Sequence, residues 1–364
     1  MTRPGGVSGV LGVDSGGSGL RAVLAVDGGR LTSPLRSKEP VRTGPRGIDA
    51  GHLLEQLVPM ARQLMVDSGV GTLRAVAIGA AGLTTLGDSL RAELPSALAR
   101  ELGVGRLALV ADAVTAYTGA LGQRVGAVVA AGTGMIAVGT DLRSWRRADG
   151  WGHLLGDCGS GAWIGRAGLE AALRADDGRP GGSAVLLARA EAMFGPASAL
   201  PGQLYPRSDR PAVLASFAPE VAACADHDPV AADILAAAAR HIADSAVAVC
   251  PTMADISPEE DANGISGQGS GGDPGRSPGE VQVALTGGLF KMGDPLLVPL
   301  RAALAEQLPY ARQVPAAGGP LDGAVRIAAD LADGRLTLPR DDSMLYVVTD
   351  ATDATGTRPP DHSP

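Results

Sequence analysis

A pair of short β-prone runs joined by a glycine-rich tip occurs twice in this chain, and that device limits the fold more than any other feature. Val7 to Val13 and Leu20 to Val26 flank Asp14-Ser15-Gly16-Gly17-Ser18-Gly19, and about 115 residues later Val125 to Ala131 and Met135 to Thr140 flank Gly132-Thr133-Gly134. Each pair reads as a hairpin, because glycine tolerates the backbone angles of a tight tip and its bare N–H groups can face an anion. One such hairpin is weak evidence of phosphate binding, since the helix start and Lys of a Walker loop are missing. Recurrence at this spacing suggests two related domains facing one ligand.

Periodicity between the hairpins predicts helices over His52 to Asp67 and Ser89 to Leu102, strands over Ala75 to Ala80 and Leu107 to Val110, and a further helix from near Val114. The order β-β-α-β-α-β-α is that of an α/β fold. Asp112 stands at the carboxyl end of a strand, where open α/β sheets place their ligands. Helices are also expected over Leu169 to Ala175, Ala184 to Phe194, Asp228 to Val249, Leu296 to Gln307 and Gly323 to Leu331, with a strand from Val281 to Thr286 that runs into Gly287-Gly288. Residues from about 255 to 280 lack periodicity and read as a disordered insertion. Residues 341–364 are expected to form a flexible tail, polar and Pro-containing from Asp350 onward.

Hydrophobic residues make up 45% of the chain but aromatics only 3%, so the core must be built from Ala, Val and Leu, which suits helices on a sheet. A net charge of −8 and the lack of a basic stripe with interleaved aromatics argue against nucleic acid as a partner. The start of the sequence does not resemble a signal peptide and no run of about 18 apolar residues occurs, so a cytoplasmic protein without a membrane partner is expected. Cys158, Cys224 and Cys250 form no C-x-x-C pair, and the five histidines show no convergent spacing, which disfavours disulfides, structural zinc and a cysteine-ligated cluster.

The run Asp149-Gly150-Trp151-Gly152-His153-Leu154-Leu155-Gly156-Asp157-Cys158-Gly159-Ser160-Gly161 reads as a binding loop. Its glycines let a ligand approach the main chain, while Trp151 supplies a wall and Asp157 an acceptor. A plain glycine-rich turn is the competing reading. Strand-end glycines at Gly16-Gly17, Gly132 to Gly134 and Gly287-Gly288, together with Asp14, Asp112 and Asp157, are most simply explained by a nucleotide: two tips for the phosphates, a third glycine pair for the purine, and Asp14 holding Mg²⁺ through water. Asp112 is then left to accept the proton of a substrate hydroxyl. Taken singly, Asp14 could cap its turn, Asp112 could cap the next helix, Trp151 could be core, and Cys158 could be an apolar filler.

In this order the segments resemble the superfamily of sugar kinases and actin, and within it the BadF/BadG/BcrA/BcrD-type ATPases that include N-acetylglucosamine kinase. Gly12 to Ser18 is similar to the first phosphate loop, Ala131-Gly132-Thr133-Gly134 to the second, Leu285-Thr286-Gly287-Gly288-Leu289-Phe290 to the adenosine segment, and Gly150 to Asp157 to the sugar-binding loop of N-acetylhexosamine kinases. The resemblance implies two ribonuclease H-like, actin-like ATPase domains with a cleft between them. The first would be residues 1–118 completed by a helix at about 322–340, and the second 119–321. It further implies that Ser18 and Thr133 touch the phosphates of ATP, that Gly288 lies by the nucleoside, and that Gly150, Trp151, Gly152 and Asp157 meet the sugar. Asp112, in Val110-Ala111-Asp112-Ala113, becomes the base for the C6 hydroxyl. Arg46 stands where the family's sugar kinases tend to offer a hydroxyl-reading Asn, Met135 and Ile136 replace the polar continuation of the second phosphate loop, and Cys158 stands where Glu or Ala is common. The expectation is an ATP- and Mg²⁺-dependent kinase for the 6-hydroxyl of an amino sugar, first N-acetylglucosamine, then glucosamine or N-acetylmuramic acid, acting as a homodimer. An activator ATPase of acyl-CoA dehydratases and an ATP-dependent sugar-sensing regulator are the alternatives.

Overall fold

The structure, a computed structural model, describes residues 7–17, 19–26, 29–44, 47–256 and 280–349. Ser18, Arg46, residues 257–279 of the expected insertion and the segment from Asp350 lie outside the described residues. The chain divides into two compact units, one comprising 1–123, 142–144 and 317–364, the other 124–141 and 145–316.

Unit 1 begins with β1 (Ser8–Gly16), β2 (Gly19–Val26), α1 (Ala50–Ser68), β3 (Thr72–Ala80), α2 (Asp88–Leu102), β4 (Arg106–Ala111) and α3 (Asp112–Leu121). Unit 2 follows with β5 (Gly126–Ala131), β6 (Met135–Thr140), β7 (Trp145–Asp149), α4 (Gly161–Asp176), α5 (Ala184–Phe194), α6 (Arg210–Ser216), α7 (Ala218–Cys224), α8 (Pro229–Val249), β8 (Gln282–Thr286), α9 (Asp294–Gln307) and β9 (Arg312–Pro315). The chain then returns to unit 1 with α10 (Pro320–Ala332) and β10 (Leu345–Thr349).

The echo read from the hairpins extends through both sheets. In unit 1 the order is β10-β4-β3-β1-β2, with Arg30–Leu31 and Leu35–Ser37 added on β2. In unit 2 it is β7-β6-β5-β8-β9. In each, one strand pairs antiparallel with its hairpin partner on one side and parallel with a later strand on the other, and that strand pairs parallel with the next. β1 is buried from Gly9 through Ser15, so both of its faces are covered and its sequence runs apolar without alternation.

Two corrections to the sequence reading follow. The expected tail from 341 begins with ordered structure, because Leu345–Thr349 pairs antiparallel with β4 and closes that edge of the sheet. The apolar run Met344 to Val348 supplies the cause, with Met344 and Leu345 buried. The expected insertion from 255 starts inside the short helix Met253–Ile256, where the carboxylate of Asp255 takes both Arg146 Nη atoms at 2.6 and 3.0 Å.

Each unit has its own core of Ala, Val and Leu. In unit 2, α8 buries Ala231, Leu235, Ala238, Ala239, Ile242, Ala243, Ala246 and Val249, a stripe at helical spacing. The stretch Pro229–Ile256 is long and apolar enough to cross a membrane by length and composition, with half of that window buried in the fold. The Asp228 side chain caps α8 at Ala231 N and accepts the Ser183 hydroxyl at 2.5 Å, while Ser183 Oγ caps α5 at Leu186 N. One buried hydrogen bond thus ties two helix starts together.

In unit 1 the helices lie so close that side chains are excluded. A Cβ on Gly12 of β1 would fall 2.6 Å from Val325 Cγ2, one on Gly119 of α3 would fall 2.1 Å from Gly319 O, and one on Gly323 of α10 would fall 1.9 Å from Thr115 O. A backbone oxygen cannot rotate away as a side chain can. Gly323→Ala should therefore cost more than about 2 kcal/mol in chemical denaturation, at the upper end of overpacking costs. Gly202→Ala, where nothing lies within 4 Å of the new methyl, should stay within about 0.5 kcal/mol of the parent.

Candidate ligand site

The loop after β7 is built by one carboxylate. Asp149 adopts φ 59°, a left-handed conformation that Asp tolerates better than most residues, and this turns the chain out of the strand. Its side chain then accepts the N–H of Asp157 at 2.6 Å and of Cys158 at 2.9 Å, closing the loop across eight residues of chain. The Asp157 side chain returns the bond by accepting the Gly152 N–H at 3.0 Å. Asp149 was not among the sequence-predicted site residues, although an Asp-Gly step at a strand end is the signal that could have found it.

Trp151 projects from this frame at 65% exposure, which rules out a core role. It is held from one side: the Arg147 guanidinium lies 4.6 Å from the ring centroid, and its Nε and Nη2 donate to the carbonyls of Asp149 at 3.1 Å and Gly150 at 2.8 Å. Leu154 and Leu155 are 77% and 85% exposed. The loop thus presents an aromatic ring of fixed orientation with uncovered apolar residues beside it.

Asp157 is buried, at 8% exposure. Burial, with the Asp149 charge adding to it, raises its pKa above the ordinary carboxylate value, while the Gly152 N–H and His153 oppose the rise. The Cys158 thiol is likewise pushed up, first by burial and then by Asp149 and Asp157, so it stays protonated and fits the role of small filler better than that of nucleophile.

The second glycine tip is fastened to the same loop. The carbonyls of Gly132 and Thr133 accept the N–H groups of Gly161 at 2.9 Å and Ala162 at 3.0 Å, at the start of α4. A Cβ on Gly134 would lie 2.6 Å from Asp157 Oδ2, and one on Gly287 would lie 2.1 Å from Ala131 O. Unit 2 thus gathers Gly132, Thr133, Gly134, Gly150, Trp151, Gly152, Asp157, Gly287 and Gly288 around the carboxyl ends of the parallel strands β5 and β8.

In unit 1 the candidates also meet at carboxyl ends of parallel strands. Asp14 lies near the end of β1, Gly16 and Gly17 just beyond, and Asp112 directly after β4, with Asp14 beside Gly79 and Ala80 beside Ala111 in the sheet register. Asp14 is buried and ion-paired with Arg21, its cross-strand partner; Arg21 Nε donates to Oδ2 at 2.9 Å and Nη2 reaches the same oxygen. Asp112 is half-buried, and its Oδ1 accepts the N–H of Ala113 at 2.8 Å. Its own carbonyl accepts the Thr115 hydroxyl at 2.8 Å.

Several of these glycines are not needed by the fold. At Gly16, Gly17, Gly132 and Gly288 an added Cβ would meet nothing within 4 Å, and none of the four has the left-handed backbone that excludes side chains. The space in front of them is open. Open space there would let a ligand approach the main chain closely, and the same openness at Gly71 and Gly202 shows that it is not confined to the carboxyl ends of strands.

The comparisons with known proteins bear on the family and the fold. The description "BadF/BadG/BcrA/BcrD ATPase family" matches residues 11–309. A protein of Clostridium acetobutylicum named N-acetylmuramic acid/N-acetylglucosamine kinase is 32% identical over 179 residues, 47% of this chain. That match spans 55% of the relative, about half its length. Among solved structures, a protein of Chromobacterium violaceum provisionally described as an N-acetylglucosamine kinase shares the fold, with TM-score 0.59, 24% identity, and coverage of 87% of this chain and 97% of that one. Another from Porphyromonas gingivalis, described in the same way, has TM-score 0.59 at 18% identity with the same coverages.

Two outcomes follow from the geometry. Gly16→Ala and Gly132→Ala should leave the unfolding midpoint within a degree or two, on the order of a surface substitution, yet weaken nucleotide binding measured by titration of each variant. Asp149→Ala should cost roughly 2 kcal/mol of stability, since it leaves two N–H groups without their charged acceptor, and should raise protease susceptibility at Trp151 to Gly156.

Proposed function

The chain belongs to the BadF/BadG/BcrA/BcrD ATPase family, and from that membership we propose that it is an ATP-dependent kinase that phosphorylates the 6-hydroxyl of an amino sugar. N-acetylglucosamine is the first candidate acceptor, with glucosamine and N-acetylmuramic acid as alternatives. The observation that carries this reading is the direct linkage, within unit 2, of a phosphate-type glycine tip to a loop that exposes Trp151 and buries Asp157. A protein that only hydrolysed ATP would have no use for the second half of that assembly.

In this reading Gly132, Thr133 and Gly134 offer backbone to ATP phosphates, as do Gly16, Gly17 and Ser18, while Gly287 and Gly288 lie against the nucleoside. Gly150, Trp151, Gly152 and Asp157 hold the sugar, a set to which the family resemblance adds Arg46. Asp157 accepts a hydrogen bond from a sugar hydroxyl, and Trp151 covers an apolar ring face. Asp112 accepts the proton of the acceptor hydroxyl as the oxygen forms its bond to the γ-phosphorus and the bond to the β-bridging oxygen breaks, releasing ADP.

Magnesium fits as a companion of the nucleotide. Among the described residues no three ligating side chains converge on a metal. Mg²⁺ usually keeps several waters and takes one or two carboxylates plus the phosphates. Asp14 could serve it through water, since both Arg21 contacts fall on Oδ2; the ion would neutralise phosphate charge during transfer.

The activator-ATPase alternative requires cysteines at a surface that a cluster can reach. Cys224 and Cys250 are instead buried in the core of unit 2, and burial raises both thiols, Cys250 to about 11. A sugar sensor is separated from an enzyme by the base. Asp112→Asn should lower kcat by about 10²- to 10⁴-fold, the usual worth of a general base, while sugar binding measured calorimetrically stays within a few-fold. A coupled ATP-consumption screen over the three amino sugars, glucose and mannosamine tests the whole reading, and no stimulation by any of them would end it.

A further inference from the structure

A cavity of about 430 Å³ lies in unit 2 against His153 and Leu154, the two residues that follow Trp151-Gly152 in the loop assigned to the sugar. That volume is within the range of small-molecule sites, roughly 300–1,000 Å³. Leu169, Leu200, Leu214 and Tyr205 give the cavity an apolar lining, and Arg166, Arg179 and Arg210 line it too, against one carboxylate, Glu170.

The charges do not cancel locally. Glu170 is taken by Arg174 at 2.8 Å, and Arg179 by Asp177 at 2.5 Å. The Glu170 pKa is lowered first by its hydrogen bond from Arg174, and Arg166 adds to that only through its charge at longer range. Arg210 donates its Nε to the Arg207 carbonyl at 2.7 Å, and Arg207 itself holds Asp209 at 2.7 Å. Among the described residues neither Arg166 nor Arg210 meets a carboxylate within ion-pair distance. Two guanidinium groups beside leucines, next to a sugar loop, match a ligand that is apolar along one arm and anionic at its end.

We propose that this cavity is the subsite for a carboxylate borne on a short alkyl substituent of the amino sugar, with Arg166 and Arg210 as the groups that read it. The inference rests on the amino-sugar kinase reading and narrows it: N-acetylmuramic acid, which is N-acetylglucosamine carrying a lactyl ether, presents such an arm. The leucines meet the alkyl part and the guanidinium forks meet the carboxylate. The transfer step is the same; only the recognition of the acceptor is added. Because Arg166 is solvent-exposed, its share must weaken as salt screens it.

The experiment compares kcat/KM for N-acetylmuramic acid, its neutral carboxamide and N-acetylglucosamine, in the full chain and in Arg166→Gln, Arg210→Gln and the double variant. The ratio of N-acetylmuramic acid to N-acetylglucosamine should fall about 10- to 100-fold in the double variant, the usual range for losing charge-assisted hydrogen bonds. The carboxamide should show no such fall, and raising salt should erode the ratio in the parent protein. Unfolding midpoints close to the parent's would show that the variants are folded. A ratio that is unchanged, or that falls equally with the carboxamide, overturns the subsite. So does a parent enzyme that phosphorylates N-acetylglucosamine but not N-acetylmuramic acid, which leaves the kinase reading standing. Activity on neither sugar also overturns the subsite, and the kinase reading falls with it only when glucosamine, glucose and mannosamine fail to stimulate ATP consumption as well.

Discussion

Two strands buried on both faces, β1 and β5, set where chemistry can occur in this chain. A strand covered by helices on both sides offers nothing to solvent along its length, so its carboxyl end is the place where side chains and backbone become available. In both units the chain passes that end through glycines, Gly16-Gly17 at the end of β1 and Gly132 to Gly134 after β5. The parallel neighbours end at the same edge, which is why Asp112, directly after β4, and Gly287-Gly288, directly after β8, join their respective groups. The architecture is needed before any of these residues can cooperate.

Much of this was legible because it is local. Hairpins with glycine tips, amphipathic helices and a carboxylate after a buried strand all declare themselves within a dozen residues. Three strands of four or more residues did not. Trp145–Asp149 carries two arginines and no alternating apolar set, Arg312–Pro315 is an edge strand ending in Pro, and Leu345–Thr349 adjoins a polar segment. Arg146 belongs in its strand because Asp255, 109 positions away, receives it, and Arg147 because the loop it precedes folds back over its guanidinium. No window of sequence contains those partners. By contrast the Asp14–Arg21 pair was within reach, since a hairpin in which Gly16 faces Gly19 must set Asp14 opposite Arg21.

The site residues separate by the same criterion. Trp151 and Asp157 were recognisable by type and spacing, yet what orients them was not. Asp149 resembles an ordinary turn residue until its acceptors are seen to gather N–H groups from residues 157 and 158. Its charge has a second consequence: it opposes ionisation of Asp157, which burial already disfavours. The two carboxylates therefore do different work because their surroundings differ. Asp149 gathers two backbone N–H groups at the loop's base, whereas Asp157 takes the Gly152 N–H in a buried place where a hydrogen bond counts for more than it would in water.

Glycine is the residue through which structural and functional demands can be told apart here. Gly12, Gly119 and Gly323 are fixed by backbone and helix packed against them, and Gly134 by the carboxylate of Asp157. Gly16, Gly17, Gly132 and Gly288 face open space with backbone angles any residue can adopt. Packing asks for no glycine at those four, as it asks for none at Gly202, and glycine there enlarges the entropy lost on folding by an amount that alanine would recover. Their cost is met with no return inside the folded chain. Within each unit taken by itself, a ligand docking against the main chain at the strand end would supply that return, and a polyphosphate, bound through N–H groups and intolerant of a methyl in its path, has the chemistry that asks for it.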